Sequence, residues 1–306
     1  MSQNNSARAG VFFAIAAYTM WGVAPVYFKL LDTVPAVEMV MHRVIWSVLL
    51  LAVLIIGLRH VDKVKAALTN KKVIVTLVIA SLLLAANWIL FIWAVNNDYM
   101  LEASLGYYIN PLINVFLGRL FLGERLRFTQ KLAVAIAITG VAIMIFNFGY
   151  LPWIALTLAF SFSIYGLLRK QVAVDSLPGL FVETSFMLPA ALIYWAFFAS
   201  QASDLVQGDV QTTVLLILAG VVTTAPLLCF TAAARRIRYS TLGFFQYIGP
   251  SLMFILAVAV YDEPLSTGRL VTFAFVWTAL AVFSFDSLKH YRKEKKEKKL
   301  AALRPE

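Results

Sequence analysis

The chain has 306 residues, 61% of them hydrophobic and only 14% charged, with a formal net charge of +10 and a mean hydropathy of +0.81. A soluble domain carries roughly 45–50% apolar and about 25% charged residues, so this much apolar surface has no soluble core to enter. The composition argues for a polytopic membrane protein; the apolar runs are too long and continuous for barrel strands, which alternate over about 10 residues.

Runs of about 17–25 apolar residues predict ten spans in chain order: Gly10–Lys29, Ala36–Leu58, Val73–Val95, Leu101–Leu122, Phe128–Phe148, Tyr150–Leu168, Gly179–Ala199, Thr212–Ala234, Thr241–Tyr261 and Arg269–Phe285. The first is too long for a signal-peptide core of about 7–15 residues and is expected to remain a helix. With the N-terminus inside, 23 of the 26 Lys and Arg residues fall in inner segments. Only Lys29 and Arg269 lie in outer loops, and Arg43 lies within a span. This bias places both termini in the cytoplasm by the positive-inside rule. It also makes the net charge a topology signal rather than a sign of nucleic-acid binding. The basic run Lys289–Lys299 fits a solvated anchor and can attract anionic lipid.

The strongest internal signal is a repeat. Ser104–Leu126 (SLGYYINPLINVFLGRLFLGERL) and Thr241–Leu265 (TLGFFQYIGPSLMFILAVAVYDEPL) both begin Leu-Gly-aromatic-aromatic. Both then carry a helix-breaking pair, Asn110-Pro111 and Gly249-Pro250, with Glu124 and Glu263 at the same distance beyond it. Trp21-Gly22-x-x-Pro25 in span 1 aligns with Phe162-Ser163-x-x-Gly166 in span 6. The same offset sets His42-Arg43 against Glu183-Thr184, and Asn87-Trp88 falls near Pro226-Leu227. Each half then holds an odd number of spans, so the second enters the membrane inverted. Interrupted segments at matching places in two halves point to a transporter binding site. The expected organisation is a cytoplasmic N-terminus over 1–9, a first five-helix repeat over 10–148, an inverted second repeat over 150–285 and a basic cytoplasmic tail over 286–306. The fold class is all-α, N-in and C-in.

Several residues carry the resemblance to a known family. They are Tyr18-x-x-Trp21-Gly22-x-x-Pro25, His42-Arg43, Asn87-Trp88, Leu105-Gly106-Tyr107-Tyr108-Ile109-Asn110-Pro111, Tyr165-Gly166-Leu167-Leu168-Arg169-Lys170 and Gln246-Tyr247-Ile248-Gly249-Pro250. Over nearly its whole length the chain resembles the drug/metabolite transporter superfamily, EamA type, and within it the RarD permeases. That resemblance implies a secondary transporter in the cell inner membrane. By the family label it implies a link to chloramphenicol.

Charges inside a span cost about 2.5–3.5 kcal/mol on insertion scales, so each one needs a reason. Glu38, His42 and Arg43 lie in the first two turns of span 2, with Glu38 and His42 on one face. They are candidates for an anion-attracting or proton-responsive outer lining, the alternative being an internal Glu38–His42 or Glu38–Arg43 pair. Glu183, near the inner end of span 7, is a candidate proton site, the alternative being a hydrogen bond to a neighbouring helix. Asn87, Trp88, Tyr107, Tyr108, Asn110, Asn114, Gln246 and Tyr247 are candidate pathway residues. Gly22, Pro25, Pro111, Pro226, Gly249 and Pro250 are expected to interrupt their helices, because proline removes a backbone donor. Glu124 and Glu263 are expected as caps or surface pairs.

The sequence has no GxxxxGK[ST] motif, which excludes ATP-driven pumping by this chain alone, and no His/Cys/Asp cluster with metal-ligand spacing. No cofactor, metal or nucleic acid is expected. The expected partners are a small-molecule substrate and the lipid bilayer, with the oligomeric state open. Four functions remain in view: a secondary exporter of small organic metabolites or drugs, a passive facilitator of small polar metabolites such as amino acids, a lipid translocator and, last, an intramembrane enzyme.

Overall fold

A computed structural model describes residues 3–31, 33–97, 99–148, 151–203, 205, 209–260 and 267–301. Twelve α-helices account for nearly all of them, and no strand occurs among the described residues. In chain order they are α1 (Gln3–Lys29), α2 (Ala36–Gly57), α3 (Val61–Thr69), α4 (Lys71–Asn96), α5 (Met100–Leu122), α6 (Phe128–Phe148), α7 (Trp153–Gln171), α8 (Ser176–Phe198), α9 (Val210–Ala234), α10 (Tyr239–Gln246), α11 (Ile248–Ala259) and α12 (Thr267–Ala301). Helix starts are set by local chemistry. Asn70 accepts the Lys72 and Val73 amides at the start of α4, and Asp209 accepts the Thr212 amide at the start of α9. α2 begins directly after Pro35.

Each of the ten expected spans has a helical counterpart. Seven helices are apolar and long enough to cross a membrane: α1, α2, α4, α6, α8, α9 and α12. The other three stretches are α5, α7 and the pair α10/α11. α5 holds Asn110, Asn114 and Arg119, and α7 holds Ser161, Ser163, Arg169 and Lys170, while α10 and α11 are each short. The composition reading missed α3. It turns its Val64 and Ala67 inward and packs on α8, in a segment that had registered only as a basic loop.

α5 runs unbroken through Asn110-Pro111, so the expected interruption there does not occur. α1 and α9 likewise continue through Gly22, Pro25 and Pro226. The second copy of the repeat does break, at Tyr247 between α10 and α11, just before Gly249-Pro250. Sequence explains the difference. A glycine costs about 1 kcal/mol and a proline about 3 kcal/mol in a helix interior, and only the second copy has them adjacent. In the first copy Asn110 also donates its amide to the Ala159 carbonyl on α7 at 2.8 Å, tying α5 down beside its proline. Glu263 lies outside the described residues.

The helices pack in a definite pattern. α6 pairs with α12, α5 with α7, α2 with α8 and α9, α1 with α9 and α11, α4 with α7 and α8, and α5 with α10. Glycines allow the closest crossings. At Gly220 an added Cβ would sit 2.6 Å from the backbone carbon of Trp46, so α9 and α2 touch backbone to backbone. At Gly22 it would meet the Leu252 side chain at 2.8 Å and the Gly249 carbonyl at 3.2 Å, where α1 crosses α11.

Candidate functional site

His42 and Arg43 are adjacent in sequence but about 100° apart around the helix, and the structure separates them. Glu38 and His42 share the face of α2 that packs on α8. There the Glu38 carboxylate accepts the Ser200 amide at 3.0 Å and its hydroxyl at 2.9 Å, so it secures the end of α8 rather than pairing with His42 or Arg43. The His42 ring is buried edge-on to Trp195, 6.5 Å between centroids. Arg43 turns the other way, toward α1, α4, α5 and α9. Its Nε donates to Thr223 Oγ1 at 2.8 Å, and its guanidinium carbon lies 4.5 Å from the Trp88 ring centroid and 5.7 Å from that of Phe28. Such placements over aromatic faces are favourable cation–π geometry. Tyr27 and Tyr107 are within electrostatic reach. Tyr27 is fixed by donating its hydroxyl to the Leu215 carbonyl at 2.7 Å, and Tyr107 packs edge-on to Phe91.

Beside this cluster, at the α1–α2 turn, is a hollow of about 430 Å³ lined by Phe28, Leu31, Val34, Pro35, Met39 and Tyr194 among others. Phe28 belongs to both the hollow and the Arg43 cluster. Below Arg43, α1, α7 and α9 meet in an aromatic layer. Trp21 lies 5.8 Å from both Phe162 and Phe230, and Tyr165 stacks on Phe230 at 6.0 Å, with Tyr18 alongside.

Glu183 is fully buried and does not line an open vestibule. Its Oε2 is 3.5 Å from Arg169 Nε, and Arg169 is itself fully buried and donates to the Ser176 carbonyl at 3.2 Å. An added Cβ on Gly179 would collide with Arg169, so that glycine makes the room for the guanidinium. Sequence reasoning missed Arg169. It had counted as one of the inner-loop basic residues, and nothing in its position distinguishes it from the neighbouring Lys170. Lys170 instead caps the end of α9, donating to the Ala234 and Ile237 carbonyls.

The amides expected to face substrate mostly bond to protein. Asn87 donates to the Leu158 carbonyl at 2.9 Å and Ser161 Oγ at 2.8 Å, joining α4 to α7. Asn114 donates to Asn110 Oδ1 at 3.3 Å and to Gln246 Oε1 at 3.1 Å, joining α5 to α10. Tyr247 donates its hydroxyl to the Tyr108 carbonyl, and the Tyr108 ring packs edge-on to Phe273. Among the candidates, therefore, the structure brings Arg43, Trp88 and Tyr107 together beside Thr223. It places Asn87, Asn110, Asn114, Gln246 and Tyr247 in helix–helix contacts, and Glu38 and His42 on a separate face. Glu124 is a cap, as expected: it accepts the Tyr239 and Ser240 amides and the Ser240 hydroxyl at the start of α10.

A bundle of long apolar helices around buried polar clusters is the build of a multi-pass membrane transporter, and comparison with known proteins agrees. Residues 8–146 match the model of the EamA-like transporter family. An "Uncharacterized transporter" of Vibrio cholerae is 56% identical over 92% of this chain and 94% of its own length. "Protein RarD" of Escherichia coli is 53% identical over 94% and 98%. A "Chloramphenicol-sensitive protein RarD" of Pseudomonas aeruginosa is 31% identical over 93% and 96%. A solved crystal structure 17% identical in sequence shares the fold, with a TM-score of 0.70 over 90% of this chain and 97% of its own. The chain belongs to the EamA-like transporter family of the drug/metabolite transporter superfamily, and is a multi-pass protein of the inner membrane.

Proposed function

We propose that the chain is a secondary transporter that exports small organic molecules by alternating access. Its architecture would be ten spans forming two inverted five-helix repeats, with both termini in the cytoplasm. The observation that carries this reading is the contrast between two levels of one bundle. Around Arg43 a polar, aromatic-walled cluster adjoins an open hollow of about 430 Å³ at the α1–α2 turn and shares Phe28 with it. At the other level lie the aromatic layer and the fully buried Arg169–Glu183 pair. A hollow on one side and packed side chains on the other would suit a resting state of alternating access.

The helix packing supports the repeat. Let α1, α2, α4, α5 and α6 correspond to α7, α8, α9, α10/α11 and α12. The α5–α7 contact then maps onto α1–α11, α1–α9 onto α4–α7, and α2–α9 onto α4–α8, while α2–α8, α5–α10 and α6–α12 map onto themselves. The correspondence extends to single atoms. Asn110 bonds the Ala159 carbonyl, and an added Cβ on Gly249, its counterpart, would lie 3.6 Å from the Tyr18 carbonyl. Tyr18 and Ala159 are equivalent under the alignment of Trp21-Gly22 with Phe162-Ser163.

Coupling to protons would run through Glu183. While the inner layer is closed its carboxylate is paired with Arg169, so proton exchange belongs to states in which that layer opens. Transport that is unchanged in Glu183→Gln would remove this coupling and leave a facilitator. The export reading is tested by comparing the culture media of cells that lack and that overproduce the chain. Overproduction should raise particular small organic solutes outside the cell. Identical media, with the protein present in the membrane, would refute it.

A further inference from the structure

Arg43 is an unusual way to end a hydrogen-bond network. Its Nε is held by Thr223, and its guanidinium face is supported by Trp88 and Phe28, so its position is fixed on three sides. Its two Nη groups, however, make no hydrogen bond among the described residues. Nor are they among the buried polar atoms lacking a partner, and Arg43 is only partly buried, so the Nη groups keep some accessible surface. No carboxylate among the described residues pairs with Arg43, whereas Arg127, Arg169 and Arg235 each have one. A guanidinium inside a span that keeps a free pair of parallel donors is a fork built for a planar two-oxygen anion.

The walls define the rest of the ligand. Trp88, Phe28, Tyr107 and Phe91 are aromatic, and Phe28, Leu31, Val34 and Met39 are among the side chains that line the adjoining hollow. A small inorganic anion would leave these faces unused.

We propose that Arg43 is a carboxylate receptor, so that the cargo is a small organic acid carrying its carboxylate beside an aromatic or apolar group. This rests on the transport reading above and narrows it. It sets a neutral antibiotic apart from the favoured cargo, and an inside-negative potential would favour the exit of an anion beside any proton coupling at Glu183.

The test is binding to the purified full-length chain in detergent, read by quenching of tryptophan fluorescence, since Trp88 lies against Arg43. The probes are phenylacetate, its neutral isostere phenylacetamide, and acetate. Phenylacetate should bind saturably, with phenylacetamide weaker by on the order of 10- to 100-fold, the span expected for a lost hydrogen bond to a charged group. Acetate should bind more weakly than phenylacetate, because it leaves the aromatic walls empty. Arg43→Gln should abolish the preference for acid over amide. Arg43→Lys, which keeps the charge but loses the fork, should retain only part of it. Equal binding of acid and amide, an intact preference in Arg43→Gln, or no saturable binding of phenylacetate would overturn the proposal. If Arg43→Gln does not fold, the acid–amide comparison in the unaltered chain and in Arg43→Lys decides. The acid preference and the culture-medium comparison are separate readouts: loss of the first alone refutes the receptor, and loss of the second alone refutes export.

Discussion

Glu183→Gln should be among the more destabilising single substitutions in this chain. Both Glu183 and Arg169 are fully buried, their charged atoms are 3.5 Å apart, and Arg169 gains only the Ser176 carbonyl besides. Removing the carboxylate charge strands a guanidinium away from water. Breaking one partner of a buried ion pair costs about 3–5 kcal/mol, while replacing both partners by apolar residues of similar size is often neutral or stabilising. The assay is thermal unfolding of the purified chain in detergent, followed by loss of the monodisperse gel-filtration peak. Glu183→Gln should melt well below the unaltered chain, and the double variant Arg169→Met/Glu183→Leu should recover most of the loss. An unchanged melt in the single variant would refute the buried-pair reasoning, as would a double variant no better than the single.

Three other expectations follow from the packing. In Gly220→Ala the new methyl would lie 2.6–2.7 Å from Trp46 backbone atoms, so α9 must move off α2; overpacking of this kind costs about 1–3 kcal/mol, visible as a lower melting temperature. Glu124→Ala removes the acceptor for two amides and a hydroxyl at the start of α10. The loss of such a cap costs about 0.5–2 kcal/mol, and amide exchange at Tyr239 and Ser240 should quicken. Asp175 lies outside the spans, between α7 and α8, where hydrogen bonds from Lys63 and Arg235 hold its carboxyl below the usual carboxylate range. A depressed acid stabilises the fold above its unfolded pKa of about 3.9 and loses that contribution as the pH falls through its folded value. The carboxylate is half exposed, so the contribution is at most about 1 kcal/mol. Asp175→Asn should flatten the acid limb of unfolding midpoint against pH: it should lower the midpoint slightly at neutral pH, by the equivalent of at most about 1 kcal/mol, and leave it unchanged below the folded pKa.

Much of the architecture could be read from sequence because it depends on chain-long quantities. Apolar run length placed each expected stretch on helix, seven of them apolar and long enough to cross a membrane, though α12 runs on past Phe285 to Ala301 and Thr241–Tyr261 falls on two short helices. The Leu-Gly-aromatic-aromatic repeat located two segments that do touch, through Asn114 and Gln246. Side-chain direction was harder to read. Glu38, His42 and Arg43 formed one polar cluster in sequence, yet a rotation of about 100° per residue sends Arg43 to the interior and His42 to α8. Proline alone did not decide where a helix breaks. α5, α1 and α9 run through Pro111, Pro25 and Pro226, and among the described residues the Gly249-Pro250 pair lies just after an interruption. Arg169 could not be singled out, because its role depends on Gly179 and Glu183 on the next helix.

Solute flux through the purified chain tests its role as a transporter most directly. The measurement is efflux from proteoliposomes loaded with the solutes that overproducing cells release. The account predicts saturable efflux above that of protein-free liposomes. Efflux no faster than from protein-free liposomes, for every such solute and with the chain folded in the bilayer, would contradict it.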